Sequence, residues 1–317
     1  MNNAHKAKLV TKEVSKVIIG KEKCIDKIMC AILARGHILI EDIPGVGKTT
    51  LALAFAKAMD LKQNRVQFTP DVLPSDITGF SMYQKDMGKF IFHPGAVMCN
   101  VFLADEINRT SAKTQSALLE VMEEGAVTVD GITREVPAPF IVIATENPIG
   151  SAGTQMLPES QLDRFMISIV MGYLEKQDEV ELLMNQSGSS QSAYAHAVIT
   201  ENELIQMQDE VQKVYVHPDV LDYIVELSRG TREHEMVSLG LSTRGSLAVA
   251  SMVKAAAYMN GRTYAMPDDV EAVFEDVAGH RLKLNAKARM NHLKTHDVIE
   301  DILQMVKKPR PEMRYEK

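Results

Sequence analysis

A glycine-rich segment, Pro44 to Thr50, lies directly after a short β-prone run and directly before an Ala/Leu-rich helical pattern. Glycines let backbone N–H groups turn toward phosphate oxygens, and a helix N-terminus adds partial positive charge. A lysine at position 48 reaches β- and γ-phosphates, and the Thr49 hydroxyl is suited to bind Mg²⁺. The segment therefore predicts a site for ATP and Mg²⁺. The candidate phosphate-binding residues are Pro44, Gly45, Val46, Gly47, Lys48, Thr49 and Thr50.

Two adjacent carboxylates follow a second apolar run. Val101 to Ala104 is continuously apolar, and Asp105 and Glu106 come directly after it. Ligands of parallel sheets bind at the carboxyl edge of the strands, where these two side chains are expected. We expect Asp105 to hold Mg²⁺ through its water shell and Glu106 to accept a proton from the attacking water.

A third polar position completes the predicted catalytic set. Asn147 follows the apolar run Phe140 to Thr145. An amide at the end of this strand is expected beside the terminal phosphate, where it orients the attacking water.

Elements that position these residues follow from the apolar pattern. Short β-rich runs alternate with helical patterns from residue 23 to residue 171, which is typical of a parallel sheet covered on both faces. The predicted fold class is α/β, a P-loop NTPase core followed by an all-helical lid. The predicted strands are His37 to Glu41, Arg65 to Phe68, Asn100 to Asp105, Phe140 to Thr145 and Phe165 to Met171.

Two segments interrupt this alternation. Residues 77–97 and 125–139 each contain two β-prone runs around a glycine, Asp86-Met87-Gly88 in the first and Asp130-Gly131 in the second. Asp-Gly between β-branched residues is a strong hairpin signal. Both segments are predicted to be hairpins that are inserted into the core and do not contact the nucleotide.

The remaining chain divides by composition. The α/β domain is expected over residues 1–184, a Ser/Gly-rich linker over 185–199, a helical lid over 200–306 and a polar tail over 307–317. Prolines at 218 and 267 lie at helix starts, as expected.

Composition excludes several functional classes. The 317 residues carry a net charge of −7, so a bulk basic surface for non-specific binding of nucleic acid is absent, and a local basic patch stays open as an alternative. The three cysteines have no metal-ligand spacing and are expected to be reduced core thiols. The sequence contains neither a signal-peptide pattern nor an apolar run of about 18 residues, which predicts a cytoplasmic protein.

The motifs in this order resemble those of AAA+ ATPases, and more narrowly of the MoxR family, over residues 10 to 290. The resemblance includes Asp42, which is usual at that position in the family. The segments that carry it are Arg35-Gly36-His37, Glu41 to Thr49, Asp105 to Arg109, Lys113 to Glu120 and Leu157 to Phe165.

The resemblance implies roles for further residues. Arg164 matches the arginine finger, which reaches the ATP of a neighbouring subunit, and it is expected on a helix that faces that subunit. Arg244 matches sensor 2 of the lid. Val17 to Gly20, including Ile18, Ile19 and Gly20, matches the segment that packs against adenine. Three roles stay open for Arg109: it acts on the nucleotide of its own subunit, on that of a neighbouring subunit, or only in the structure. The two hairpins correspond to the helix-2 insert and the pre-sensor-1 hairpin of the family, and they are expected to project toward the pore or the client face of the ring.

The resemblance also implies a function. MoxR proteins act as ATP-driven, chaperone-like remodelling enzymes, expected here as a ring, most simply a hexamer, with a von Willebrand factor A domain protein and a client as partners. The alternative is a nucleic-acid motor of the MCM or Holliday-junction helicase type, which the charge and the few basic hairpin residues disfavour. A nucleotide-gated switch without turnover is disfavoured because Glu106, Asn147 and Arg164 form a hydrolytic set.

Overall fold

The computed structural model describes residues 3–42, 45–146, 157–187 and 195–309 of the chain. Within these residues the chain divides into two compact units, Met1–Asp209 and Glu210–Lys317. The boundary falls inside a helix, Glu201–Gln212. Among the described residues, no helix is long and apolar enough to cross a membrane.

A five-stranded parallel sheet forms the centre of the first unit, with the spatial order β2-β5-β8-β1-β9. Each residue of β5 is buried, and β1 and β8 are buried up to their last residue. Burial along whole strands is typical of a parallel sheet with both faces covered, which is why these strands read as continuous apolar runs. The strands are β1 (Ile38–Glu41), β2 (Gln63–Gln67), β5 (Val101–Asp105), β8 (Ile141–Glu146) and β9 (Ile167–Ile169).

Helices connect and cover these strands. One core cluster joins the sheet to α5 through Phe102, Leu118, Val142 and Phe165, all fully buried. A 3-10 turn, Ile107–Arg109, follows β5 directly. The helices of this unit are α1 (Asn3–Ser15), α2 (Glu22–Leu33), α3 (Lys48–Ala58), α4 (Pro74–Thr78), α5 (Ala112–Glu124), α6 (Glu159–Leu162), α7 (Lys176–Ser187) and α8 (Glu201–Gln212).

Two antiparallel hairpins lie outside the central sheet. The first pairs β3 (Gly79–Gln84) with β4 (Lys89–Pro94), and the second pairs β6 (Ala126–Val129) with β7 (Ile132–Glu135). The Arg134 guanidinium of the second hairpin lies 4.0 Å from the centre of the Phe92 ring of the first. A cation over an aromatic face is attractive, so this contact joins the two hairpins.

The second unit is mainly helical. α10 packs against α9 and α11, and α13 packs against the same two helices. Their facing side chains, among them Val249, Phe274 and Ile299, are fully buried. The elements are α9 (Pro218–Glu233), β10 (Val237–Leu239), α10 (Thr243–Met259), α11 (Pro267–Ala278), β11 (Lys283–Leu284), α12 (Ala286–Met290) and α13 (Thr295–Met305).

Three local features differ from the sequence expectations. β10 and β11 form a short antiparallel pair in the unit expected to be all helical. The helix expected to carry Arg164 ends at Leu162, so Arg164 lies in the following turn. α7 continues to Ser187, into the stretch expected as a linker. Strands of two or three residues carry too few side chains to show a periodicity, which explains the first difference.

Candidate functional site

The loop between β1 and α3 is open on its outer side. Gly45 and Gly47 have φ angles of 90° and 91°, in the left-handed region that residues with a side chain rarely adopt. A Cβ placed on either glycine would meet no protein atom within 4 Å. The Cβ side of both glycines is therefore unobstructed by the described part of the chain. Pro44, also predicted to belong to this loop, lies outside the described residues.

Lys48, in the first turn of α3, holds its ammonium group at the ends of two neighbouring strands. Its Nζ donates to the backbone oxygen of Asp42 at 2.5 Å and to that of Glu146 at 3.4 Å. Burial lowers the pKa of Lys48, and the carboxylates of Asp42, Asp105 and Glu106 oppose this shift. A cation held at low solvent exposure interacts more strongly with an anionic ligand than an exposed one does.

Asp105, the last residue of β5, is held by two side chains that sequence reasoning missed. Thr145 Oγ1 donates to Asp105 Oδ1 at 2.7 Å, and the same hydroxyl accepts from the Glu106 backbone N–H at 2.8 Å. Arg65 donates to Asp105 Oδ2. Arg65 is an exposed residue of β2, a mostly polar strand. Nothing in the sequence of β2 indicates a carboxylate partner 40 residues later.

Glu106 stands in a left-handed backbone conformation, with φ 56° and ψ 50°. For a residue with a side chain this conformation costs about 1–2 kcal/mol, and such residues concentrate at functional sites. Its Oε2 accepts from Gln67 Nε2 at 2.8 Å and from Arg109 Nη1 at 2.7 Å. Arg109 therefore contacts Glu106 within the same chain. Gln67 was not anticipated from the sequence.

A cavity of about 490 Å³ adjoins the glycine loop. Ile18 and Ile19, which the sequence predicts to pack against adenine, line it, and so do Val46 and Thr50. Gly20 is not among the lining residues. Its place is explained by packing, since a Cβ there would lie 2.1 Å from an oxygen of Asp178.

The far wall of this cavity comes from the chain after β9. Gly172, Tyr173, Leu174 and Leu182 line it. The Tyr173 side chain is 80% exposed, so its ring is accessible to a flat ligand. More than 120 residues separate this wall from the glycine loop, which left sequence reasoning without a signal for it.

Glu146, at the end of β8, carries a perturbed carboxyl group. Burial, reinforced by the neighbouring Glu41 carboxylate, raises its pKa from 4.5 to about 7. Its Oε1 is buried without a hydrogen-bond partner among the described residues. The next residue, Asn147, predicted to orient water, lies outside the described residues.

The two arginines predicted to act on the nucleotide belong to other elements of the chain. Arg164 lines a separate cleft, where its Nη1 donates to the Leu119 backbone oxygen at 2.6 Å and pairs with Glu123 Oε2 at 2.8 Å. Arg244 belongs to the second unit, in the first turn of α10 behind the Ser242 N-cap.

The residues present fit a nucleotide with Mg²⁺. The loop supplies open amides, Lys48 a cation, Thr49 a hydroxyl at the start of α3 and Asp105 a carboxylate. Within the described part of the chain, no cluster of three or more His, Cys, Asp or Glu side chains could hold a metal. Mg²⁺ keeps several waters and takes one or two protein ligands beside substrate phosphates, so a site for it needs no such cluster.

Comparisons with known proteins agree with this geometry. The family model described as ATPase family associated with various cellular activities (AAA) matches residues 37–167, and an AAA lid domain model matches residues 229–302. The chain is 43% identical to the uncharacterised protein YeaC of Bacillus subtilis, over 93% of this chain and 92% of that protein. It is 36% identical to chaperone MoxR1 of Mycobacterium tuberculosis, over 94% of this chain and 81% of that protein.

A solved structure is similar over nearly the whole chain. The crystal structure of a candidate ATPase from Cytophaga hutchinsonii superposes with a TM-score of 0.89 at 38% identity, covering 97% of this chain and 96% of that one. The similarity thus extends through both units.

Proposed function

Because this chain belongs to the MoxR family of AAA+ ATPases, we propose that it hydrolyses ATP and uses the free energy to remodel or mature a partner protein. The observation that carries the proposal is the convergence of four groups at one sheet edge: the open glycine loop, buried Lys48, Asp105 and Glu106. A nucleotide-binding module that only senses ATP does not need Glu106, the group that would activate water.

Each group has a defined task. The Gly45–Gly47 amides and the start of α3 bind phosphate oxygens, and Lys48 places a positive charge beside the β- and γ-phosphates. Ile18, Ile19 and Tyr173 enclose the base. Thr49 and Asp105 would hold Mg²⁺, which when bound offsets charge on the phosphate oxygens. Thr145 fixes Asp105 for this task through its hydrogen bond to Oδ1.

Glu106 accepts the proton of the attacking water, and Asn147 orients that water. In this structure Gln67 and Arg109 both donate to Glu106 Oε2. These contacts fix the position of the carboxylate.

Hydrolysis is proposed to require assembly. Arg164 lies in a cleft apart from Lys48, which fits an arginine that serves the nucleotide of a neighbouring subunit. Arg244 is proposed to contact the phosphates from the lid. The assembly is proposed to be a cytoplasmic hexameric ring that works with a von Willebrand factor A domain protein and a client protein.

A nucleic-acid motor is the alternative. A motor of this kind needs basic side chains on its hairpins that can contact a phosphate backbone. Arg134, one of the hairpin cations, instead stacks on Phe92 and donates to the Ile132 backbone oxygen at 3.1 Å. The chaperone-like function is therefore preferred.

The test is phosphate release from ATP by the full chain, with Mg²⁺, alone and with added DNA. We expect Mg²⁺-dependent turnover that DNA leaves unchanged. Glu106→Gln should bind ATP normally and lose turnover by about 10²-fold or more, as expected for loss of a general base. Glu135→Gln, an exposed change on β7, is the matched control. Parental turnover by Glu106→Gln would refute the role of Glu106, and strong DNA stimulation would favour the motor.

A further inference from the structure

The guanidinium of Arg164 is held by helix α5 through one nitrogen. Nη1 donates to the backbone oxygen of Leu119 at 2.6 Å and to Glu123 Oε2 at 2.8 Å. Leu119 and Glu123 are one helical turn apart, so their two oxygens form a pair of acceptors on the same face. Arg164 itself lies in a turn and not in a helix, so these contacts determine the direction of its side chain.

A guanidinium has five N–H donors in a rigid planar fork. Fixing one nitrogen therefore fixes the plane of the whole group. The Arg164 side chain stays 30% exposed and lines a cleft of about 910 Å³ between α5, α6 and the second hairpin. The group is thus oriented and still accessible to a neighbour.

The cleft contains other carboxylates that could serve equally by charge alone. Glu120, Glu124 and Glu135 line it, yet the ion pair with Arg164 is made by Glu123. Glu123 is 37% exposed, and an exposed ion pair adds little to folding stability. Its geometry therefore points to orientation of Arg164 and away from a general stabilising role.

We propose that Glu123 is a positioning residue for Arg164: it directs the guanidinium so that the fork meets the terminal phosphate of the ATP held by the next subunit. This inference rests on the proposed role of Arg164 across subunits. Positioning matters because reacting groups misplaced by about 1 Å can lose about 10²-fold in rate. A pre-oriented arginine also loses less side-chain freedom in the transition state.

The experiment measures kcat and KM for ATP at protein concentrations where assembly is complete. Glu123→Ala should lower kcat about tenfold and leave KM within about twofold, because ATP binding depends on the Lys48 loop and not on Arg164. Glu123→Gln should recover kcat to within about threefold of the parent, since its amide oxygen still accepts from Nη1. Glu124→Ala, the adjacent residue in the same cleft, is the matched control and should keep parental kcat.

A double variant separates positioning from structure. If Glu123 acts through Arg164, then Glu123→Ala combined with Arg164→Ala should be no slower than Arg164→Ala alone. A further loss in that background, or a parental kcat for Glu123→Ala beside a slow Arg164→Ala, would overturn the inference while leaving the proposed function intact. A parental kcat for assembled Arg164→Ala would instead overturn the role of Arg164 itself, and this inference with it.

Discussion

Arg65 donates two hydrogen bonds to one oxygen of Asp105: from Nε at 3.2 Å and from Nη2 at 2.7 Å, both to Oδ2. The two residues lie on neighbouring parallel strands, β2 and β5. Asp105 is nearly buried, and Arg65 is about half exposed. An arginine therefore sits on the carboxylate that we assign to Mg²⁺, and the two cations compete for the same group.

This competition gives the first prediction. In Arg65→Ala, Asp105 keeps its bond from Thr145 and loses the competing cation, so less Mg²⁺ should support half-maximal ATP hydrolysis. An exposed ion pair is worth at most about 1 kcal/mol, so the required concentration should fall by up to about fivefold. Magnesium titration of phosphate release measures it. Lys62→Ala, which removes an exposed cation just before the same strand, should leave the titration unchanged; a higher requirement in Arg65→Ala would contradict the competition.

Loss of the lysine should weaken nucleotide binding. In Lys48→Ala the charge beside the β- and γ-phosphates is gone, and we expect ATP affinity to fall by about 10²-fold, as for loss of a buried charge-assisted contact. Titration with a fluorescent ATP analogue measures this directly. Lys57→Ala, in the last turn of the same helix, is the control. Unchanged affinity in Lys48→Ala would remove the loop from the proposed site.

Activity should be shared between subunits. Arg164→Ala should bind ATP nearly normally and hydrolyse it slowly, by about 10³-fold where an arginine stabilises the transition state. Mixing it with Lys48→Ala should restore part of the activity, because intact Arg164 on one chain can serve an intact loop on another. Specific activity of the parent should rise with concentration. A mixture that stays inactive although mixed rings form would show that Arg164 acts elsewhere.

The first hairpin should be dispensable for basal hydrolysis. Neither hairpin contributes a residue to the lining of the 490 Å³ cavity. Replacing the tip Lys85–Gly88 by Asn-Gly keeps the pairing of Gln84 with Lys89 through a two-residue turn. Basal phosphate release should stay within about twofold, since chemistry and hairpin are separate, whereas stimulation by a client should be lost. Loss of basal release in a folded, assembled variant would mean that the hairpin supports the site itself.

The Glu146 carboxyl should make stability depend on pH. Its pKa rises from 4.5 to about 7 in the folded state. Between these values the folded protein holds a proton that the unfolded chain has released, so the free energy of unfolding falls as pH rises, and the penalty is complete above pH 7. Glu146→Gln does not titrate. Its stability relative to the parent should therefore increase from pH 5 to pH 8, by on the order of 2 kcal/mol.

Urea denaturation of both proteins at each pH, without nucleotide, measures this difference. The comparison with Glu146→Gln is needed because burial lowers the pKa of His37 to about 4. His37 therefore makes the free energy of unfolding of both proteins rise with pH over part of the range. A relative stability that is flat with pH would show that Glu146 is ionised in the folded state at pH 7.

The local sequence alone determined those features of this protein that lie within one secondary-structure element or one turn. Buried parallel strands appear as apolar runs, and a strand, a glycine loop and a helix in direct succession identify the phosphate-binding segment. Asp130-Gly131 marks the second hairpin turn, which joins Val129 to Ile132. These features depend on neighbours within a few residues, and the backbone preferences of glycine and β-branched residues encode them.

Tertiary structure alone decided which distant side chains meet. Arg65 contacts Asp105 and Gln67 contacts Glu106 because β2 and β5 are adjacent in the sheet. The sequence of neither strand predicts that adjacency. Tyr173 and the glycine loop line one cavity because β9 and β1 are adjacent in the sheet. Arg164 contacts Glu123 where the turn after α6 lies against α5. Such contacts arise because the chain closes long loops in order to bury its apolar strands. The polar residues at the strand ends then lie beside residues that are distant in sequence, which no local pattern predicts.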